Sequence, residues 1–145
     1  MALKRLDNVA IVVADLDAAV AFFTELGMEL EGRASIEGHE AAQLVGFDEL
    51  RSDIAMMRMP DGQGRIELTT YHVPAAVEAS RRVLPPNTLG LHRVMFEVDD
   101  IDGMVARLRA RGAETIGEMH YEDSYRLCYL RGPDGIILAL AEAQG

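Results

Sequence analysis

Residues 6–13 run Leu-Asp-Asn-Val-Ala-Ile-Val-Val. This β-branched, apolar stretch predicts a strand. The period then changes: Val20, Phe23 and Leu26 recur at helical spacing, behind an Asp15 placed to cap and ahead of a Gly27 placed to stop. A helix over 16–26 follows. The succession then returns, with a strand over 93–98, a cap at Asp100, and a helix over 101–111 carrying Ile101, Val105 and Leu108 on one face before Gly112. Further strands are predicted at 28–36, 53–59 and 65–71 in the first half, and at 114–119, 125–131 and 136–141 in the second. The last two strands of each half flank a Pro-Asp-Gly turn, Pro60-Asp61-Gly62 and Pro133-Asp134-Gly135. Proline sets φ and glycine accepts positive φ, so the tripeptide marks a reversal.

The return is a repeat of sequence as well as of pattern. Residues 6–27 lie over 91–112 without a gap at an offset of 85, and eight of these 22 positions are identical. The identical pairs are Leu6/Leu91, Val9/Val94, Val13/Val98, Asp15/Asp100, Asp17/Asp102, Val20/Val105, Ala21/Ala106 and Gly27/Gly112. Chance alone gives roughly one or two for average residue usage. The expected fold is therefore α+β, built from two tandem βαβββ modules within one domain spanning 1–145: module one over 5–72, a linker over 73–90, and module two over 91–143. The linker holds Pro74, Pro85 and Pro86 around a helix-compatible stretch at 75–83. An insertion at 38–50, with Ala41, Leu44 and Val45 spaced as one apolar face, predicts a short helix over one mouth of a site.

Composition narrows the function classes. The chain has 145 residues, 49% hydrophobic and 26% charged, with a formal net charge of −10. That field repels phosphate backbones and anionic membranes, so neither nucleic acid nor membrane is an expected partner. Arg107, Arg109 and Arg111 read as a solvated helix face. The single cysteine, Cys128, excludes an intramolecular disulfide framework. No secretory apolar segment follows Met1 and no run is long enough to span a bilayer, so a cytoplasmic protein is expected.

Two modules of strand, Asp-Leu or Asp-Ile, helix, Gly and closing Pro-Asp-Gly resemble the vicinal oxygen chelate superfamily, the glyoxalase I, extradiol dioxygenase and bleomycin resistance protein group. The resemblance implies that the paired modules roll their sheets into a cup with the helices outside, and that metal-dependent members hold an ion there. Such members take His or Gln from the first strand of each module and Glu from the last. The matching positions here are Asn8, Glu67, Arg93 and Ala139. Only Glu67 is a usual ligand; arginine has no lone pair to donate and alanine has nothing to offer. No metal and no cofactor is therefore expected. His92, one residue from a ligand position, would turn to the opposite face of the strand. His39, His72 and His120 form no pair at ligand spacing.

In the register that the resemblance implies, the cup holds Asn8, Ala10 and Val12; Glu67, Thr69 and Tyr71; Arg93, Met95 and Glu97; Ile137, Ala139 and Ala141. Glu67 and Arg93 are expected within ion-pair reach. They serve either as a strut or, with Arg93 offering its fork to a ligand anion, as a binding pair in which Glu67 or Glu97 is a general base. The polar and aromatic stretch at 120–126 adds Tyr121, Glu122 and Tyr125 as candidate contacts, unless its tyrosines simply pack on the sheet. The expected function is metal-free binding of a small molecule in a cup around Glu67 and Arg93, by a homodimer. The alternatives are a metal-dependent lyase, epimerase or dioxygenase acting on a small oxygenated substrate, and an accessory protein with a closed cup.

Overall fold

The repeat seen in sequence is a repeat of hydrogen bonds in the computed structural model, which describes residues 4–78, 83–91, 93–121 and 123–144. Element order is β1 (Val9–Val12), α1 (Leu16–Leu26), β2 (Glu29–Glu37), α2 (His39–Val45), β3 (Arg51–Arg58) and β4 (Arg65–Val73). The second half runs β5 (Arg93–Glu97), α3 (Ile101–Ala110), β6 (Glu114–Tyr121), β7 (Tyr125–Arg131) and β8 (Ile137–Ala143). The chain divides into two compact units, Met1–Val77 and Glu78–Gly145, called module one and module two below.

Each module folds one four-stranded mixed sheet, ordered β1-β4-β3-β2 in the first and β5-β8-β7-β6 in the second. The opening strand pairs parallel with the closing strand, and the other pairs are antiparallel. A parallel pair needs a long crossover, which the helix and two intervening strands supply. The fold class is thus α+β with two βαβββ modules, and α2 is an addition to the first.

Local chemistry explains why both modules take the same path. Asp15 and Asp100 accept from the amides of Ala18 and Gly103, satisfying otherwise orphaned donors at the helix starts. At the far ends Gly27 and Gly112 adopt φ of 118° and 98°, a region costly for a residue with a Cβ. They allow Met28 N to reach Phe23 O at 3.0 Å and Ala113 N to reach Leu108 O at 3.1 Å. All of these partners correspond at the offset of 85. So do two β-bulges not visible in the aligned segment, at Leu30/Gly32 and Thr115/Gly117.

The two cores lie between each sheet and its helix. In module one Val13, Phe23, Met57 and Leu68 are buried, and in module two Leu108, Cys128, Leu130, Leu138 and Leu140 are. Asp17 and Asp102, paired in the repeat, each clasp an arginine of their own sheet: Arg33 at 2.8 Å and Arg126 at 2.8 Å. The guanidinium of Arg126 holds the Asp102 carboxyl below its ordinary range, and the carboxylate in turn pushes Arg126 up.

Three expectations about elements change. Residues 75–78 are not helical; the rest of the proposed linker helix, apart from Val83, lies outside the described residues. Strand pairing in module one begins at Val9 rather than at Leu6, and β3 opens at Arg51 rather than at Asp53, while β5 begins at Arg93 as expected. Helix α2 forms, but its buried residue is Ala42, while Leu44 is 87% exposed. The rotation of this two-turn helix is set by its exit. Phe47 N donates to Ala42 O at 2.9 Å, and the Phe47 ring meets Tyr71 edge-on at 6.3 Å.

Candidate functional site

Strand alternation gives each sheet one face toward its helix and one open face. In β5, Phe96 is buried on the helix side whereas Arg93, Met95 and Glu97 are exposed. The cross-strand register extends those three positions into rows. Met95 lies beside Ala139, Tyr129 and Gly117, and Glu97 lies beside Ala141, Leu127 and Met119.

Between these rows lies a pocket of about 560 Å³ lined by Met95, Glu97, Tyr125, Leu127 and Ala141. A smaller depression of about 210 Å³ adjoins it through Leu127 and continues over Ile116, Gly117, Met119 and Tyr129 toward the β6 edge. The lining is apolar and aromatic apart from Glu97 in the first and Glu118 in the second. A concave apolar surface with very few polar groups is the usual character of a small-molecule pocket.

Two of the candidate residues, Glu97 and Tyr125, meet in this pocket. Arg93 is on the same open face, but its guanidinium lies over the Tyr129 ring, 5.1 Å from the centroid. Such stacking occupies one face of the guanidinium and leaves its N–H edge available. The Tyr121 side chain and all of Glu122 lie outside the described residues. Leu127 was absent from the expected site; alternation puts it on the same strand face as Tyr125 and Tyr129, and the register of β7 and β8 against β5 brings it beside Glu97. An aliphatic residue between two tyrosines carries no chemical signal of its own.

Asn8 and Glu67 belong to module one. Asn8 precedes β1 and donates through Nδ2 to Asp7 at 2.8 Å. Glu67 is half-buried on β4, beside Ala10 and Met56 in register, and accepts from the Thr69 hydroxyl at 3.2 Å. Module one also has a polar depression of about 710 Å³ near Asp7 and Gly64. Its charges neutralise one another: Arg65 pairs with Asp7 at 2.7 Å and Glu31 at 3.0 Å, and Arg5 with Asp7 at 3.3 Å.

The donor set at the four family ligand positions does not fit a metal. Arg93 is a cation stacked on an aromatic ring, Ala139 is a fully buried methyl, and the Asn8 amide is turned to Asp7. Glu67 alone supplies a hard anionic oxygen, and divalent ions need several converging donors.

Residues 5–140 match the family model described as Glyoxalase/Bleomycin resistance protein/Dioxygenase superfamily. A crystal structure of a glyoxalase family protein from Bacillus cereus is 51% identical, with a TM-score of 0.95, covering 100% of this chain and 97% of that one. The uncharacterized protein YaeR of Escherichia coli K12 is 30% identical over 98% of both chains. TnmS3, an antibiotic binding protein from Streptomyces sp. CB03234, shares the fold at a TM-score of 0.61 and 19% identity, covering 99% of each chain.

Proposed function

This chain belongs to the glyoxalase/bleomycin resistance protein/dioxygenase superfamily, and we propose that within it the chain is a metal-independent binder of a small organic molecule, held on the open face of module two. The observation that carries this reading is the pocket of about 560 Å³ whose lining is Met95, Tyr125, Leu127, Ala141 and a single carboxylate, Glu97. The volume suits a molecule of one or two rings. The role of TnmS3 in binding an antibiotic is a precedent for a binding function on this scaffold. The mismatch of Arg93 and Ala139 with metal coordination supports the metal-independent half of the reading.

Titration of the isotope-labelled protein with phenylbutanol, a neutral aromatic probe, tests the pocket. Amide shifts are expected to concentrate at Met95, Glu97, Tyr125, Leu127 and Ala141. Shifts confined to other surfaces, or none at millimolar probe, would refute it. For the metal, exhaustive dialysis against a chelator is expected to leave Tm unchanged, because an ion that does not bind the folded state contributes no linkage. A fall in Tm restored by zinc, manganese, nickel or iron would instead refute the metal-independent reading in favour of the metal-dependent alternative, whose activity would then be assayed.

A homodimer is part of the same proposal. The edge strands β2 and β6 leave unpaired backbone groups that association covers, and Met95 and Met119 are 44% and 52% exposed on the open face. Sedimentation at micromolar concentration is expected to give twice the chain mass of 15.9 kDa. A monomer would refute the assembly.

A further inference from the structure

Position 97 is the twin of position 12 in the repeat, and the two differ in kind. Val12 stands on the open face of module one, in register with Thr69, which is followed by Ile54 and Ala34 across the sheet. Glu97 stands at the equivalent place in module two, in register with Ala141, Leu127 and Met119. The βαβββ module thus forms with an aliphatic residue at this place, and the charge is not a requirement of the fold. Nor does the carboxylate answer a neighbouring charge: among the described residues no hydrogen bond or ion pair holds Glu97. The carboxylates of module one's polar depression, Asp7 and Glu31, are by contrast paired to arginines. Arg93, on the same strand and face, stacks on Tyr129.

A carboxylate lining an apolar pocket without a partner costs desolvation when any ligand covers it, unless that ligand brings the compensating charge. A neutral ligand pays that cost unrelieved, and an anion adds repulsion to it. A hydrophobic ammonium reverses the sign, since its cation meets Glu97 in a partly desolvated setting while its body lies on Met95, Leu127, Ala141 and Tyr125. The net charge of −10 adds a long-range field that concentrates cations and repels anions. Resting on the binding reading above, we infer that the ligand of the module-two pocket is an organic cation, a protonated amine on an aromatic or aliphatic body, with Glu97 as its charge-recognising residue.

The test compares three probes of one skeleton: phenylbutylamine, phenylbutanol and phenylbutyrate, titrated at neutral pH with amide shifts as the readout. Phenylbutylamine is expected to bind the pocket at least tenfold more tightly than phenylbutyrate and more tightly than phenylbutanol, with the preference shrinking as salt rises. Glu97→Gln is expected to bring the amine to the level of the alcohol. Glu97→Val, which installs the residue found at the twin position, is expected to do the same while the alcohol binds at least as well as before. A preference for phenylbutyrate that is lost in Arg93→Met would overturn the inference and leave the pocket standing. An amine preference that survives both Glu97 variants would also overturn it. If no probe moves the pocket amides, the binding reading itself fails and takes this inference with it.

Discussion

Leu140→Asp is expected to leave module two without a stable fold. Leu140 is fully buried in β8, the strand flanked by β5 and β7, where it sits in register with Phe96 and Cys128. Those neighbours are themselves buried, so an aspartate there is cut off from water. Burying an unpaired carboxylate, together with the loss of a leucine's packing, costs more than about 4 kcal/mol. A whole domain has only about 5–15 kcal/mol of stability. The measurement is amide-resolved NMR: resonances of β5–β8 are expected to collapse to unfolded positions. Retention of native shifts for Phe96 and Cys128 would show that this side of the sheet is not the core.

Phe23→Ala ranks second. The Phe23 ring is fully buried beneath the sheet of module one and meets Phe22 edge-on, with centroids 5.5 Å apart. Truncation removes the ring's transfer energy and leaves a cavity, a loss of about 3–5 kcal/mol. Leu108, its twin in the repeat, is equally buried and loses about 2–5 kcal/mol when cut to alanine. Urea unfolding monitored separately in the two modules reads both. A loss below about 1 kcal/mol at either position would mean that the helix does not pack where the repeat places it. The open face predicts the contrast: Met95→Ala, on the exposed side of β5, lacks a packed cavity to leave behind.

Much of this architecture was legible because its determinants are local. The Asp15 and Asp100 caps, the Gly27 and Gly112 stops and the Pro-Asp-Gly turns act within a few residues of themselves. A period of 3.6 or 2 names the buried side of an element without reference to its partner. The register that the family resemblance implies put Arg93, Met95 and Glu97 together on one face of their strand, and all three are exposed there. The family, too, could be recognised from the doubled module.

The α2 helix marks where such reading stops. Its apolar spacing nominated Ala41, Leu44 and Val45, yet Ala42 is the buried residue, since a seven-residue helix carries too little apolar surface to orient itself against the pull of Phe47 on Tyr71. The site shows the same division more sharply. Sequence by itself determined the two modules and their helices, through interactions between residues close along the chain. Tertiary structure alone decided that Leu127 joins Glu97, Tyr125 and Met95 in one pocket, and that the Arg93 guanidinium comes to rest on Tyr129. Those meetings depend on the register of β7 and β8 against β5, which the connections between these strands set across tens of residues. No periodicity in one strand encodes which side chain of another will lie beside it.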